Sequence, residues 1–247
     1  MKILLTNDDG IYAEGLKHLV EWAKTKGEVV VVAPKSEQSG KSHSIEIHKG
    51  FGFKKVDLFD GVESYYVDST PADCVRIAIL GLKLKFDLVI SGINRGFNLG
   101  GDICYSGTVG ACFEGAHLGV KSIAFSTHWD NFDDADKNID RAFQFINNHE
   151  LLSYCDIVNV NFPKDGTIII PTTAGEAIYS DDFDFNDEEG MVYPNLVCNY
   201  AGTTDLTLDT DSVMNGYISI TPVSDRLTDE AAYDALLKRI KKENFSI

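Results

Sequence analysis

At 247 residues, with 38 acidic against 22 basic side chains and a formal net charge of −16, the chain lacks the basic surplus that trades counterions with nucleic-acid phosphates or an anionic bilayer. Long nucleic acid and membranes are thereby excluded as partners, while a small anion stays admissible wherever a bound cation reverses the local field. A composition 44% hydrophobic and 11% aromatic is that of a globular protein, and a chain this long buries roughly 70–75% of its unfolded surface without a disulfide or metal.

The first apolar run, Ile3 to Leu5, meets Asp8 and Asp9 at once, short of the ~7–15 apolar residues at the centre of a signal peptide. No run reaches the ~18 apolar residues of a membrane span. The five cysteines form no CxxC pair and an odd count suits reduced thiols, so a cytoplasmic location is expected.

Lys2–Thr6 reads as a strand running into the turn Asn7-Asp8-Asp9-Gly10. Leu16, Leu19, Val20 and Ala23 recur at helical spacing, and Gly27 stops that helix. Val29–Ala33 is the apolar, β-branched run of a strand covered on both faces, which completes a right-handed β-α-β opening. Between Ser44 and Asp68 the alternation at Ile45 and Ile47, Phe51 and Phe53, and Tyr65 to Val67 predicts hairpins. Thr70-Pro71-Ala72-Asp73 predicts a helix start, with Thr70 as cap, Pro71 in the first position and Asp73 at the positive end, running to about Leu82.

Further on come a strand at Asp87–Ser91, a Gly/Asn-rich loop at Gly92–Ser106 and a helix at Gly107–Leu118. A strand at Ser122–Ser126, an amphipathic helix at Asp134–Asn148 and a strand at Ile157–Phe162 follow. From Ile168 to about Tyr217 the pattern gives short β segments and acidic clusters, with no clear helix. Gly216–Thr221 returns as a strand, and Thr228–Glu243 is a last helix capped by Thr228. The expected fold is α/β: a Rossmann-like, doubly wound, mainly parallel sheet carrying a β-rich excursion. One domain spans 1–247, with a core at about 1–165 and 216–225, an arm at about 168–215 and a C-terminal helix at about 228–243.

Ligands of open α/β sheets bind outside the carboxyl ends of parallel strands. Three such ends carry polar loops, Asn7–Gly10, Lys35–Ser44 and Gly92–Ser106, which should meet in one crevice. Adjacent Asp8 and Asp9 repel unless a cation or a shared proton lies between them. Their hard oxygens select Mg²⁺, Mn²⁺ or Ca²⁺ over zinc. A solvated turn that caps the next helix is the other use of such a pair; the position at the end of a buried strand favours the cation.

In the second loop Gly40-Lys41-Ser42 ends like a P-loop, but Lys35 stands where its first glycine belongs, which leaves Ser39 as a neutral ligand. The third loop lacks GxGxxG and offers Asn94 and Asn98 as amide partners for a metal or a phosphate. Ser106-Gly107-Thr108 opens a helix whose free N–H groups favour an anion, although such small residues also serve close packing. Among six histidines only His43 lies in a candidate loop, as a solvated residue or an acid/base. No GxSxG or HExxH motif is present. An oxygen-ligated cation beside an anion-binding helix start is equipment for metal-assisted phosphoester hydrolysis.

Taken in order, Lys2 to Gly10, Ser39-Gly40, Ser91-Gly92-Ile93-Asn94 with Gly96 and Asn98-Leu99-Gly100, Tyr105 to Val109, and Gly216 to Pro222 resemble the SurE (survival protein E) family of metal-dependent 5′/3′-nucleotidases. The resemblance runs over nearly the whole chain. It implies that Asp8, Asp9, Ser39 and Asn94 hold one divalent cation per subunit, Mg²⁺ or Mn²⁺. It also implies a β-hairpin arm and a C-terminal helix exchanged between subunits of a homodimer or tetramer. Glu14 stands where the family commonly has proline, and Arg95 where it has a small residue.

The expected activity is hydrolysis of nucleoside monophosphates to nucleoside and phosphate by metal-activated water. Asp8, Asp9 and Asn94 are the expected catalytic residues, with Asp8 orienting or deprotonating the water, and Asn98, Ser106, Gly107, Thr108 and Arg95 contact phosphate or substrate. A nucleotide- or metal-binding regulatory module on the same fold is the alternative. A phosphatase forming an aspartyl-phosphate would set its two acids two residues apart, which adjacent Asp8 and Asp9 do not match.

Overall fold

The structure, a computed structural model, describes residues 1–175, 179–188, 191–200 and 204–242. Its first half comprises β1 (Lys2–Thr6), α1 (Glu14–Ala23), β2 (Glu28–Pro34), β3 (Phe53–Val56), β4 (Glu63–Val67), α2 (Pro71–Arg76), β5 (Leu88–Arg95) and α3 (Gly107–His117). Then come β6 (Ser122–Thr127), α4 (Asp133–Asn148), α5 (Leu151–Tyr154), β7 (Ile157–Phe162), β8 (Ile169–Pro171), β9 (Tyr179–Glu188), β10 (Met191–Tyr200), α6 (Asp209–Met214), β11 (Ile218–Val223) and α7 (Glu230–Lys242). Among the described residues nine strands form one sheet, in the order β3-β4-β2-β1-β5-β6-β7-β11-β8, and β9 pairs with β10 alone. The six strands from β4 to β7 run parallel; β3 and β11 pair antiparallel with their neighbours β4 and β7.

Side chains alternate across each strand, and the two faces bury separate cores. Ile3 and Leu5 of β1 pack with Leu16 and Leu19 of α1 and with Ile139 and Phe143 of α4. Leu4 points the other way and joins Cys74 and Val75 of α2 and Ala111 of α3. Helices therefore cover both faces, as the doubly wound reading requires.

Several local expectations are corrected. The segment 44–68 forms one hairpin, β3–β4, and β4 pairs parallel with β2. Residues 45–52 stay outside the sheet because their backbone has another partner: Glu46 N–H donates to Asp73 Oδ2 at 2.9 Å, while Ile47 is exposed. Thr70 does cap α2, accepting from Asp73 N–H at 3.1 Å, but the helix passes into a wider π turn over Ile77–Gly81 before Leu82.

Strand β5 runs on to Arg95 rather than ending at Ser91. A bulge between Ser91 and Asn94 carries it forward, with Gly92 at φ +134°, a conformation that suits glycine where a Cβ would run into the Phe125 carbonyl.

Between Ile168 and Tyr217, where no helix was expected, lies α6. Asp209 at its start is buried because it accepts the backbone N–H groups of Gly100 and Gly175, at 3.0 and 2.8 Å. The cap of α7 is Asp229, which accepts from Ala232 N–H at 2.8 Å, in place of Thr228. Position 243, the expected end of that helix, lies outside the described residues. Tyr233 and Leu236 of α7, and Phe183, Phe185 and Tyr193 of the β9–β10 hairpin, are exposed on the single chain.

Candidate active site

The strand order reverses direction at β1, whose neighbours are β2 on one side and β5 on the other. That is the switch point at which open α/β sheets leave a crevice. Thr6 pairs with Ser91, so the turn after β1, carrying Asp8 and Asp9, emerges beside the bulge that aims Asn94. The Lys35–Ser44 loop closes over them, tied by Gln38 N–H to Asp8 O at 2.7 Å and by Ser42 N–H to Tyr105 O at 3.0 Å. All three expected loops line a single cavity of about 720 Å³.

Asp8 is 4% exposed. Thr108 Oγ1 donates to its Oδ1 at 2.5 Å. Burial pushes the Asp8 carboxyl up, opposed by that hydroxyl and by the backbone N–H groups of Thr108 and Gly107. Gly107 is required for this approach, since a Cβ there would lie 2.9 Å from Asp8 Cβ. Asp9 is more open; burial and then the charge of Asp8 push it up to about 6, with Glu37 adding to the effect and the Arg95 backbone N–H opposing it. Glu37, two positions before Ser39, is a site residue that belongs to none of the sequence motifs.

The donor set suits a hard divalent cation. Asn94 Nδ2 donates to Gly96 O at 2.9 Å, which commits the amide nitrogen and leaves Oδ1 for a ligand. Ser39 donates its hydroxyl to Glu37 Oε1 at 2.8 Å and keeps its lone pairs. The cavity lining offers carboxylate, hydroxyl and amide oxygens; among the described residues no group of three or more His, Cys, Asp or Glu side chains is clustered for a metal. Such oxygens match Mg²⁺ or Mn²⁺ better than zinc.

Asn98 also lines the cavity and is held from a distance. Its N–H donates to Asn161 Oδ1 at 2.9 Å, and its carbonyl accepts from Asn159 Nδ2 at 2.8 Å and Asn161 Nδ2 at 3.1 Å. One amide hydrogen goes to Ser126 Oγ at 2.8 Å. Two asparagines on one face of a buried strand were the available signal for this clamp. Ser106 lines the cavity while accepting Val109 N–H at 3.1 Å as the cap of α3. Gly107 and Thr108 stand behind Asp8, so the start of α3 already serves one anion, the Asp8 carboxylate.

The family model of survival protein SurE matches residues 3–180. A relative from Thermoanaerobacter sp. strain X514 called 5′-nucleotidase SurE is 41% identical over 241 residues, covering 93% of this chain and 94% of its own. The chain belongs to the SurE family. Another relative, 5′-nucleotidase SurE 1 of Thermus thermophilus, is 37% identical with 96% of each chain covered. The crystal structure of the SurE protein from Aquifex aeolicus superposes with a TM-score of 0.83 at 33% identity, over 99% of this chain and 100% of that one.

Within this SurE chain Glu14 and Arg95 meet: Arg95 Nη2 lies 3.0 Å from Glu14 Oε2, and its guanidinium sits 5.1 Å from the centre of the Phe132 ring. All three line the rim of the cavity. His43 is placed elsewhere. Its Nε2 lies 2.7 Å from Glu114 Oε2, and Arg76 reaches the other oxygen of Glu114 at 2.8 Å, so His43 ties its loop to α3 instead of lining the cavity.

Proposed function

We propose that the chain is a phosphomonoesterase that hydrolyses 5′- and 3′-nucleoside monophosphates to nucleoside and phosphate with one divalent cation, Mg²⁺ or Mn²⁺. The observation that carries this reading is the meeting of Asp8, Asp9 and Asn94 at the switch point, in a cavity shared with Asn98 and Ser106. The names of the relatives, 5′-nucleotidase SurE, support it.

Asp8, Asp9, Ser39 and Asn94 would hold the cation. When bound, it lowers the pKa of water and offsets charge on the phosphoryl group. Asp8 is already bound by donors from α3 and is nearly enclosed, so its part is to hold. Asp9, more open, accepts the proton of the attacking water at its carboxylate; this shifts the base from Asp8, where the sequence had placed it. Ser106 accepts Val109 N–H and keeps its own hydrogen for a phosphate oxygen. The second amide hydrogen of Asn98 is spare for the same purpose.

Self-association as a homodimer or tetramer belongs to the same proposal. It would cover the exposed apolar side chains of α7 and the β9–β10 hairpin. A cytoplasmic site of action belongs to the same proposal; separately, no helix among the described residues is long and apolar enough to cross a membrane. The test is phosphate release from a panel of nucleoside monophosphates with Mg²⁺, with Mn²⁺ and with chelator. Release that requires the metal is expected; saturable nucleotide binding without release would establish the regulatory-module alternative instead.

A further inference from the structure

We infer that the indole of Trp129 is the platform on which the substrate's nucleobase stacks; this rests on the nucleotidase reading and extends it to a specificity-determining residue. Trp129 is 66% exposed yet lines the same cavity as Asp8 and Asp9. Exposure alone would mean little, since single exposed aromatics are common on protein surfaces; Tyr154, at 82%, lines no part of that cavity. What singles out Trp129 is where its ring is fixed.

One edge of the indole is seated on the backbone of Gly96. A Cβ there would lie 2.9 and 3.0 Å from Cζ2 and Cη2, so any larger residue at position 96 would displace the ring. Gly96 is itself pinned, its N–H donating to Thr127 O at 2.9 Å. That bond continues the β5–β6 ladder in which Asn94 pairs with Ser126 and Arg95 with Thr127. Asn94, at the cation end of the cavity, and Gly96, beneath the indole, are therefore two residues apart, about 7 Å along extended backbone. A ribose bridges that sort of interval between a phosphate and its base.

The lining holds further flat groups in Arg95, Phe97 and Phe132. The Arg95 guanidinium lies over Phe132, and Phe97 meets His128 edge-on at 5.8 Å. At about 720 Å³ the cavity is of the ~300–1,000 Å³ class that takes drug-sized ligands, more than a phosphate and a cation need. Stacking on an indole tolerates every base because every base has a π face, and it rewards the larger purines. The site therefore accepts all nucleoside monophosphates with a preference for purines, and discriminates against phosphomonoesters that have no base.

The experiment compares kcat/KM for adenosine monophosphate with that for ribose 5-phosphate in wild type, Trp129→Ala and Trp129→Phe. The ratio should fall about tenfold in Trp129→Ala, chiefly through KM for the nucleotide, and Trp129→Phe should restore most of it. An unchanged ratio, or equal losses on both substrates, overturns the inference. Adenosine alone, titrated without metal, should quench tryptophan fluorescence saturably in wild type and not in Trp129→Ala. If the wild type releases no phosphate from any nucleotide, the nucleotidase reading fails, and the quenching then decides the stacking by itself: equal response of the two proteins ends it.

Discussion

Thr108, in the first turn of α3, donates its hydroxyl to Asp8 Oδ1 at 2.5 Å, from a side chain that is itself fully buried. The bond joins the end of β1 to the start of α3 and sets the carboxylate before any ligand arrives. Thr108→Ala should cost about 1–3 kcal/mol, because Asp8 loses a donor while remaining enclosed. Phosphate release should drop by about tenfold or more as Asp8 loses its orientation, and Thr108→Ser, which keeps the hydroxyl, should recover most of it. Thermal unfolding together with steady-state kinetics on the three proteins checks this.

Asp9 faces the opposite trade. Its carboxylate shares the cavity with Asp8 and Glu37, an arrangement that strains the metal-free protein. Asp9→Asn should raise the metal-free Tm at pH 7, by about 1 kcal/mol or roughly 2–4 °C, while it removes activity. Mn²⁺ should raise the Tm of wild type more than that of the variant. Differential scanning fluorimetry with and without the metal reads both effects.

Glu114 gives a pH dependence whose sign is fixed. Burial raises its carboxyl, but the hydrogen bonds and charges of His43 and Arg76 prevail and hold it below its ordinary value of 4.5. The native state therefore binds fewer protons than the unfolded one in the acid range. The stabilisation is present above about 4.5 and is lost as pH falls through the lower folded value. Glu114→Gln should be less stable than wild type at pH 7, and the gap should close towards pH 3; urea midpoints across that range would show it.

Asn161 supports Asn98 through two hydrogen bonds across the sheet. Asn161→Ala should destabilise the fold by about 2 kcal/mol by orphaning the buried Asn98 N–H. KM for nucleotide should rise several-fold as Asn98 loosens. Urea denaturation and substrate titration on the same preparation separate the two effects.

The contrast between Asp8 and Asn161 shows what sequence carries and what it does not. Asp8 follows a short buried strand and precedes an amphipathic helix, so local pattern alone puts its carboxylate at the mouth of a sheet. Val29–Ala33 and Thr70 are equally local, a continuous apolar run and a cap, and both form as expected. Asn161 acts on Asn98, 63 residues away, across β6, and that contact exists only once the strand order is known. Asp209 belongs with it: in sequence it is one member of an acidic cluster, yet in the fold it accepts N–H groups from Gly100, 109 positions earlier, and from Gly175. The bulge at Gly92 was hidden for another reason, since glycine and asparagine after an apolar run read as the end of a strand. Its place at a helix start reads Thr108 as a substrate contact; its proximity to Asp8 depends on α3 docking against β5 and β6.

The central claim, that Asp8 holds a divalent cation in a site that releases phosphate from nucleotides, is tested most directly by one assay. Phosphate release from adenosine monophosphate in excess Mn²⁺ is measured for wild type and for an Asp8→Asn variant whose folding is verified by circular dichroism. A wild-type rate that chelator abolishes and Mn²⁺ restores, with a loss on the order of a hundredfold or more in the variant, is the expected result. A folded variant that works at the wild-type rate, or a wild type indifferent to chelator, would contradict it.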